Sequence, residues 1–287
     1  MASDFTQQIR EKARELLEDG TVECVIGYET GSDGISARPA FIYNAADVER
    51  LVFDNTCTHN LVKYLLNKKA KSTAVVVKGC DSRALNLLLS ERQIERDKAF
   101  VVGVVCPGIV ESRWNERSEQ LQKRCDWCRQ HTPVVSDFMV GDPVTEQPPA
   151  DFADVAEEEA KTAEERAAFW QQQAERCIRC YACRQACPGC YCTDCFAESL
   201  DPEWVGIRIA PAESQMWNTI RAFHLAGRCI SCNECERVCP VNLPLSLLNR
   251  KLEQKVLELF DYRAGMSEDA PAPLITFKKD EKLGIAE

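Results

Sequence analysis

Residues 177–188 read CIRCYACRQACP and residues 229–240 read CISCNECERVCP, two copies of C-x2-C-x2-C-x3-C-P in one chain. No other feature restricts the fold as strongly. Two-residue gaps let one turn of backbone present three thiolates to three corners of a cubane iron–sulfur cluster. The fourth cysteine, stiffened by the proline after it, turns away and serves the cluster of the other run. Zinc, the competing occupant, favours paired C-x2-C knuckles or Cys/His pairs; three successive thiols followed by Cys-Pro suit iron better. The exchange rule assigns Cys177, Cys180, Cys183 and Cys239 to one 4Fe-4S cluster, and Cys229, Cys232, Cys235 and Cys187 to the other.

These eight belong to a total of 17 cysteines in 287 residues. In a reducing compartment such an excess points to metal or redox chemistry and not to disulfides. The first twenty residues are charged and amphipathic without an apolar core, unlike a secretory signal, and no apolar run reaches 18 residues. A cytoplasmic setting is the expectation. The formal charge of −10 disfavours nucleic acid and anionic membranes as partners. No Ser/His/Asp order, paired-carboxylate motif or P-loop appears, so hydrolysis and phosphoryl transfer have no support. The three histidines, His59, His131 and His224, read as core or surface residues and not as ligands.

Before the first run the pattern is α/β. A helix is expected over 4–18, strands over 23–28 and 40–43, and a helix over 59–67. A strand–helix–strand unit follows at 73–78, 83–94 and 100–105, the helix capped by Asp81 or Ser82. The β-branched runs TAVVVK and FVVGVV are too apolar to be half exposed, which suits parallel strands covered on both faces. Cys80 and Cys106 each follow one of these strands, so both reach the crevice beyond the carboxyl ends, where open α/β sheets bind ligands. The C-x2-C knuckle Cys125/Cys128 can fold over the same edge. Four converging thiols read as a third 4Fe-4S cluster; zinc at the same thiols is the alternative occupant, and Cys57 the alternative fourth ligand.

Residues 141–166 change character, with three prolines and then an acidic stretch that reads as a solvated linker running into a helix. Helices are expected over 212–226 and 244–260, with no strands. The organisation is therefore an α/β domain with a mostly parallel sheet over 1–142, an acidic linker and helix over 143–168, an all-α dicluster ferredoxin domain over 169–262, and an extended tail over 263–287.

Residues 188–228 separate the two runs and contain a helix, which resembles the α-helical ferredoxin module of succinate dehydrogenase and heterodisulfide reductase iron–sulfur subunits. CPGCYC and HLAGRCISCNECERVCPVNLPL are similar to iron–sulfur subunits of cytoplasmic hydrogenase, sulfite reductase and heterodisulfide-reductase-type complexes. In the first half, VKGCDSRALNLL, VVGVVCPG and CDWCRQHTPVVSDFMVGD resemble the core of the beta subunit family of deazaflavin-coenzyme hydrogenases and dehydrogenases, over roughly residues 50–142. That resemblance implies a 4Fe-4S cluster on Cys80, Cys106, Cys125 and Cys128. Full-length members also bind FAD and reduce the deazaflavin coenzyme. Here the region is short, and Gly31 and Gly34 do not form G-x-G-x-x-G after a strand, so FAD has no motif behind it.

The expected function is an electron-transfer subunit carrying three 4Fe-4S clusters between a flavoprotein and a catalytic subunit of hydrogenase, formate dehydrogenase or heterodisulfide-reductase type. The alternative is a flavin-bearing subunit acting on a deazaflavin or nicotinamide coenzyme. Cys24, Cys57, Cys190, Cys192 and Cys195 remain outside the three ligand sets. The last three are expected to be thiols beside the Cys187 end of a cluster, with an extra metal site or a redox-active pair as alternatives.

Overall fold

The computed structural model describes residues 2–67, 71–113, 116–145 and 152–273; most of the 263–287 tail expected to extend lies outside them. In chain order the elements are α1 (Ala2–Glu18), β1 (Cys24–Thr30), β2 (Ala37–Ile42), β3 (Thr73–Val77), α2 (Gly79–Ser90), β4 (Ala99–Val104), β5 (Val110–Arg113), β6 (Glu116–Leu121), α3 (Lys123–Asp126) and β7 (Phe138–Val140). Then come α4 (Ala153–Glu159), α5 (Ala163–Arg176), α6 (Ala182–Ala186), α7 (Pro211–His224), α8 (Glu234–Arg237) and α9 (Leu245–Phe260). Among the described residues no strand follows β7. The chain is an N-terminal α/β region followed by a helical one, as its sequence pattern foretells.

Five strands form one sheet in the order β2-β1-β3-β4-β7. β1, β3, β4 and β7 run parallel, and β2 returns antiparallel from β1 at the edge. Every residue of β3 is buried, because the Val-rich centre is covered on both faces. Ile9, Ala13 and Leu16 of α1 and Ala84, Leu85 and Leu88 of α2 join it in one core.

Three local features differ from the sequence reading. α2 starts at Gly79, ahead of Asp81, because the Asp81 carboxylate at the third helical position accepts the Lys78 N–H (3.2 Å) instead of opening the helix itself. The helix expected over 59–67 is a 3-10 segment, Leu61–Asn67. The β5–β6 hairpin went unread, since ESR and ERSEQ carry little apolar alternation.

The acidic stretch forms α4 and α5, and α5 opens with a Thr162/Glu165 capping box. α4 is held to α9 by Asp154, whose oxygens accept Nε and Nη2 of the buried Arg250 at 2.7 and 2.8 Å. Arg250 also stacks over Trp127, 4.3 Å from the ring centroid.

A polar seam joins the two halves. Arg83 of α2 donates to the carbonyls of Ala264 (3.0 Å) and Ile230 (3.2 Å), and Asn86 to that of Gly265 (3.1 Å). Gly265 has φ +74°, and a Cβ there would lie 2.1 Å from the Arg83 carbonyl oxygen. The close approach requires glycine. Arg228 pairs with Glu91, and the Lys63 ammonium donates to the carbonyls of Cys187 (2.9 Å) and Cys190. The second cysteine run is therefore docked on the α/β half.

Candidate metal centres

Val77 of β3 is in register with Gly103 of β4, so Cys80 and Cys106, three residues beyond each, leave the sheet at one edge. Cys125 in α3 and Cys128 just after it close over that edge, and all four line one cavity with Arg124 and Trp127. Gly79 makes this possible: a Cβ there would stand 2.0 Å from the Gln130 carbonyl oxygen, so the segment after Cys128 passes directly over the start of α2. The Ile109 N–H donates to Cys125 Sγ at 3.3 Å. Cys57 is fully buried and accepts the Asp54 N–H at 3.4 Å; it is not among the described residues lining the cavity. Beneath Cys80, Lys78 and Asp81 form a buried pair at 2.7 Å. Tyr28 and Lys78 both donate to the carbonyl of His59, whose imidazole burial holds down to about 4, a neutral core residue.

The two runs of the helical half fold alike. Arg179 and Ser231, at matching positions, have φ +50° and +57°, and Tyr181 and Asn233 have φ +58° and +56°. Four non-glycine residues in the left-handed region, repeated at equal spacing, are the backbone cost of curling three thiols around one centre. Cys177, Cys180, Cys183 and Cys239 line one cavity, which brings the fourth cysteine of the second run beside the first run. Cys239 Sγ accepts the Leu243 N–H at 3.3 Å. Cys229, Cys232 and Cys235 are electrostatic neighbours of Cys187. Asparagine amides approach both sets: Asn218 of α7 lies 3.7 Å from Cys177 Sγ, and Asn249 of α9 3.7 Å from Cys235 Sγ.

Burial pushes the Cys106 thiol up to about 11 and the Cys229 thiol up to about 12, and it raises Cys80, Cys232 and Cys235 as well. Such thiols become thiolates only beside a cation that repays desolvation, which iron does. The α/β thiols and the Cys177 set each line one cavity, and sets of soft sulfur donors of this kind suit iron–sulfur clusters.

The cavity holding Cys80, Cys106, Cys125 and Cys128 is also lined by Ile230, Ser231 and Cys232 of the second run. Arg124 spans the two, donating to the Cys232 carbonyl (2.8 Å), Glu234 Oε1 (3.0 Å) and the Thr58 carbonyl (3.0 Å). At the far end Cys180 is exposed.

The remaining cysteines part company. Cys24 is in the sheet core and exposed Cys192 faces solvent, while Cys195 packs against the small cluster around Trp217. Cys190 is the exception. Its S–H hydrogen-bonds Cys187, and together with Arg221 and Lys63 this holds the Cys187 thiol well below its ordinary value, against its burial. Sequence reading missed Arg124, Lys63, Asn218, Arg221 and Asn249. Arginine and asparagine on helices carry no spacing signal, and only the fold brings them to the sulfurs.

A model of the 4Fe-4S dicluster domain matches residues 176–244. The F420-dependent formate dehydrogenase subunit beta of Methanocaldococcus jannaschii is 23% identical over an alignment of 357 positions, covering 92% of each chain. The F420-dependent formate dehydrogenase 1 subunit beta of Methanococcus maripaludis is 23% identical, covering 90% of each. The chain thus carries a 4Fe-4S dicluster domain and resembles, along nine tenths of its length, the beta subunits of deazaflavin-dependent dehydrogenases.

Proposed function

We propose that this chain is an iron–sulfur electron-transfer subunit of a cytoplasmic oxidoreductase complex of formate dehydrogenase type, placed between a flavoprotein and a catalytic subunit. Cys80, Cys106, Cys125 and Cys128 hold one 4Fe-4S cluster, Cys229, Cys232, Cys235 and Cys187 a second, and Cys177, Cys180, Cys183 and Cys239 a third. When bound, the clusters supply one-electron carriers; the protein sets their spacing and potential.

One observation supports the reading: members of the Cys229 set adjoin both of the other cysteine sets. Cys232 lines the cavity of the α/β set, Cys235 is an electrostatic neighbour of Cys183, and Cys180 opens to the surface. Arg124, Trp127 and Arg250 cover the α/β end, and Asn218 and Asn249 support the sulfurs of the other two.

A second reading, coenzyme chemistry on a bound flavin, is favoured by an open cleft of about 850 Å³ beside Cys106 at the carboxyl edge of the sheet. Its described lining includes Asp4, Asp54 and Asp142 and no lysine or arginine, the wrong sign for a pyrophosphate. The wiring reading is therefore preferred. Anaerobic purification with a visible spectrum separates the two. Broad brown absorption near ~400 nm without flavin released on denaturation supports wiring, whereas stoichiometric flavin supports the second reading. A colourless zinc protein contradicts both.

A further inference from the structure

Arg221 lies on α7, is 4% exposed, and donates from Nη2 to the carbonyl of Cys183 at 3.1 Å. Its Nε is buried and has no hydrogen-bond partner. Among the described residues no carboxylate lies within ion-pair distance of it; the cysteines that act most strongly on its charge are Cys187, Cys190, Cys235 and Cys183. A guanidinium stripped of water without a counter-ion is costly. Arg124 and Arg250 are each matched by a carboxylate, Glu234 and Asp154. Arg179, also buried, has no carboxylate among the described residues, but its guanidinium donates to the Gly206 carbonyl and the Tyr181 hydroxyl. Arg221, with no carboxylate, lies between two sets of cysteines. Cys183 belongs to the Cys177 set, and Cys187 and Cys235 belong to the Cys229 set.

We propose that Arg221 is the shared counter-ion of the two ferredoxin clusters, a positioning residue whose fixed charge and unused Nε–H raise both reduction potentials. The inference rests on the ligand assignment above. Each added electron brings one negative charge beside the guanidinium, with no bond made and no proton required, so the reduced state gains more from Arg221 than the oxidised state does. The two potentials are also tied together, since reduction of one cluster draws on the charge that serves the other. Lys63, with its ammonium on the Cys187 and Cys190 carbonyls, adds positive charge at the Cys229 end only. The Cys80 set, whose nearby guanidinium is Arg124, should not respond to Arg221.

The test compares Arg221→Gln and Arg221→Lys with the parent chain, purified anaerobically, by iron content and by EPR-monitored titration with dithionite and mediators. Arg221→Gln should keep its iron while both ferredoxin potentials fall, by at least tenfold in the reduced-to-oxidised ratio at fixed potential, which is ~59 mV for one electron. The third potential stays fixed. Arg221→Lys, which keeps the charge, should stay near the parent. Unchanged potentials in Arg221→Gln overturn the proposal, as does a fall in Arg221→Lys as large as in Arg221→Gln. If Arg221→Gln loses iron, Arg221→Lys must hold it at parental potentials, and loss there too overturns the proposal. A parent chain without iron in the helical half would instead sink the ligand assignment itself.

Discussion

Arg124, the residue just ahead of Cys125, donates Nη1 to Glu234 Oε1 at 3.0 Å, and the two side chains are only 6% and 3% exposed. One residue belongs to the edge of the sheet and the other to the second cysteine run. The pair therefore fastens the α/β half to the ferredoxin half at the place where Cys80 and Cys232 share a cavity. Glu234 is also held by Arg237, at 2.9 and 2.7 Å, so loss of Arg124 leaves the carboxylate one partner and costs about 1–3 kcal/mol. Arg124→Met should lower the unfolding midpoint and disturb the EPR spectra of the clusters at the seam. Glu234→Leu, which takes the carboxylate from both arginines and leaves Arg124 buried without a counter-ion, should cost more, about 3–5 kcal/mol. A single variant as stable as the parent would show that the seam is held elsewhere.

Gly79 tests the geometry of the α/β centre. A Cβ at this position would overlap the Gln130 carbonyl oxygen, and overpacking of this kind costs about 1–3 kcal/mol. Gly79→Ala should push the Cys125–Gln130 segment off the sheet edge and deplete about four irons, with both ferredoxin EPR signals intact. Full iron in this variant would remove the segment from the site.

Much of this was legible in the sequence, for a physical reason. Cysteine spacing dictates which thiols one turn of backbone can present together, and the apolar runs around Val75 and Val102 dictate parallel buried strands whose ends carry Cys80 and Cys106. Less legible was what surrounds the sulfurs. Arg221, Arg124, Asn218 and Asn249 belong to no motif and carry no spacing signal. Their burial follows from how α7, α8 and α9 pack, which no local pattern encodes. The start of α2 at Gly79 was not legible because Asp81, which reads as a cap that opens a helix, instead accepts the Lys78 N–H from the third helical position.

The spare thiols separate by environment. Cys190→Ala removes the S–H that supports Cys187, so it should lower the potential of one cluster while iron content holds. Exposed Cys192 should tolerate Ser with neither iron nor potential altered. Loss of about four irons, or of one zinc, in Cys192→Ser would place it among the ligands.

Asp154, paired with Arg250 beside the α/β cavity, gives a pH dependence. Burial alone would raise its carboxyl, but the hydrogen bonds and charge of Arg250 outweigh this and hold it below the ordinary aspartate value. A carboxyl lowered in the folded state adds stability that is present above the unfolded value, about 3.9, and is lost as pH falls through the lower folded one. Asp154→Asn should abolish that part of the acid dependence, cost about 1–3 kcal/mol, and speed amide exchange in α4. Unchanged exchange there would mean that α4 is held by its apolar contacts alone.

Iron and acid-labile sulfide, counted in the anaerobically purified chain and in Cys106→Ser, Cys239→Ser and the double variant, test the three-centre assignment most directly. The expected values are about 12 irons in the parent, about 8 in each single variant and about 4 in the double, from four irons per cubane. Retention of all the iron in Cys239→Ser would contradict the exchange of ligands between the two runs. A parent with only about 8 irons, unchanged by Cys106→Ser, would contradict the cluster at the edge of the sheet.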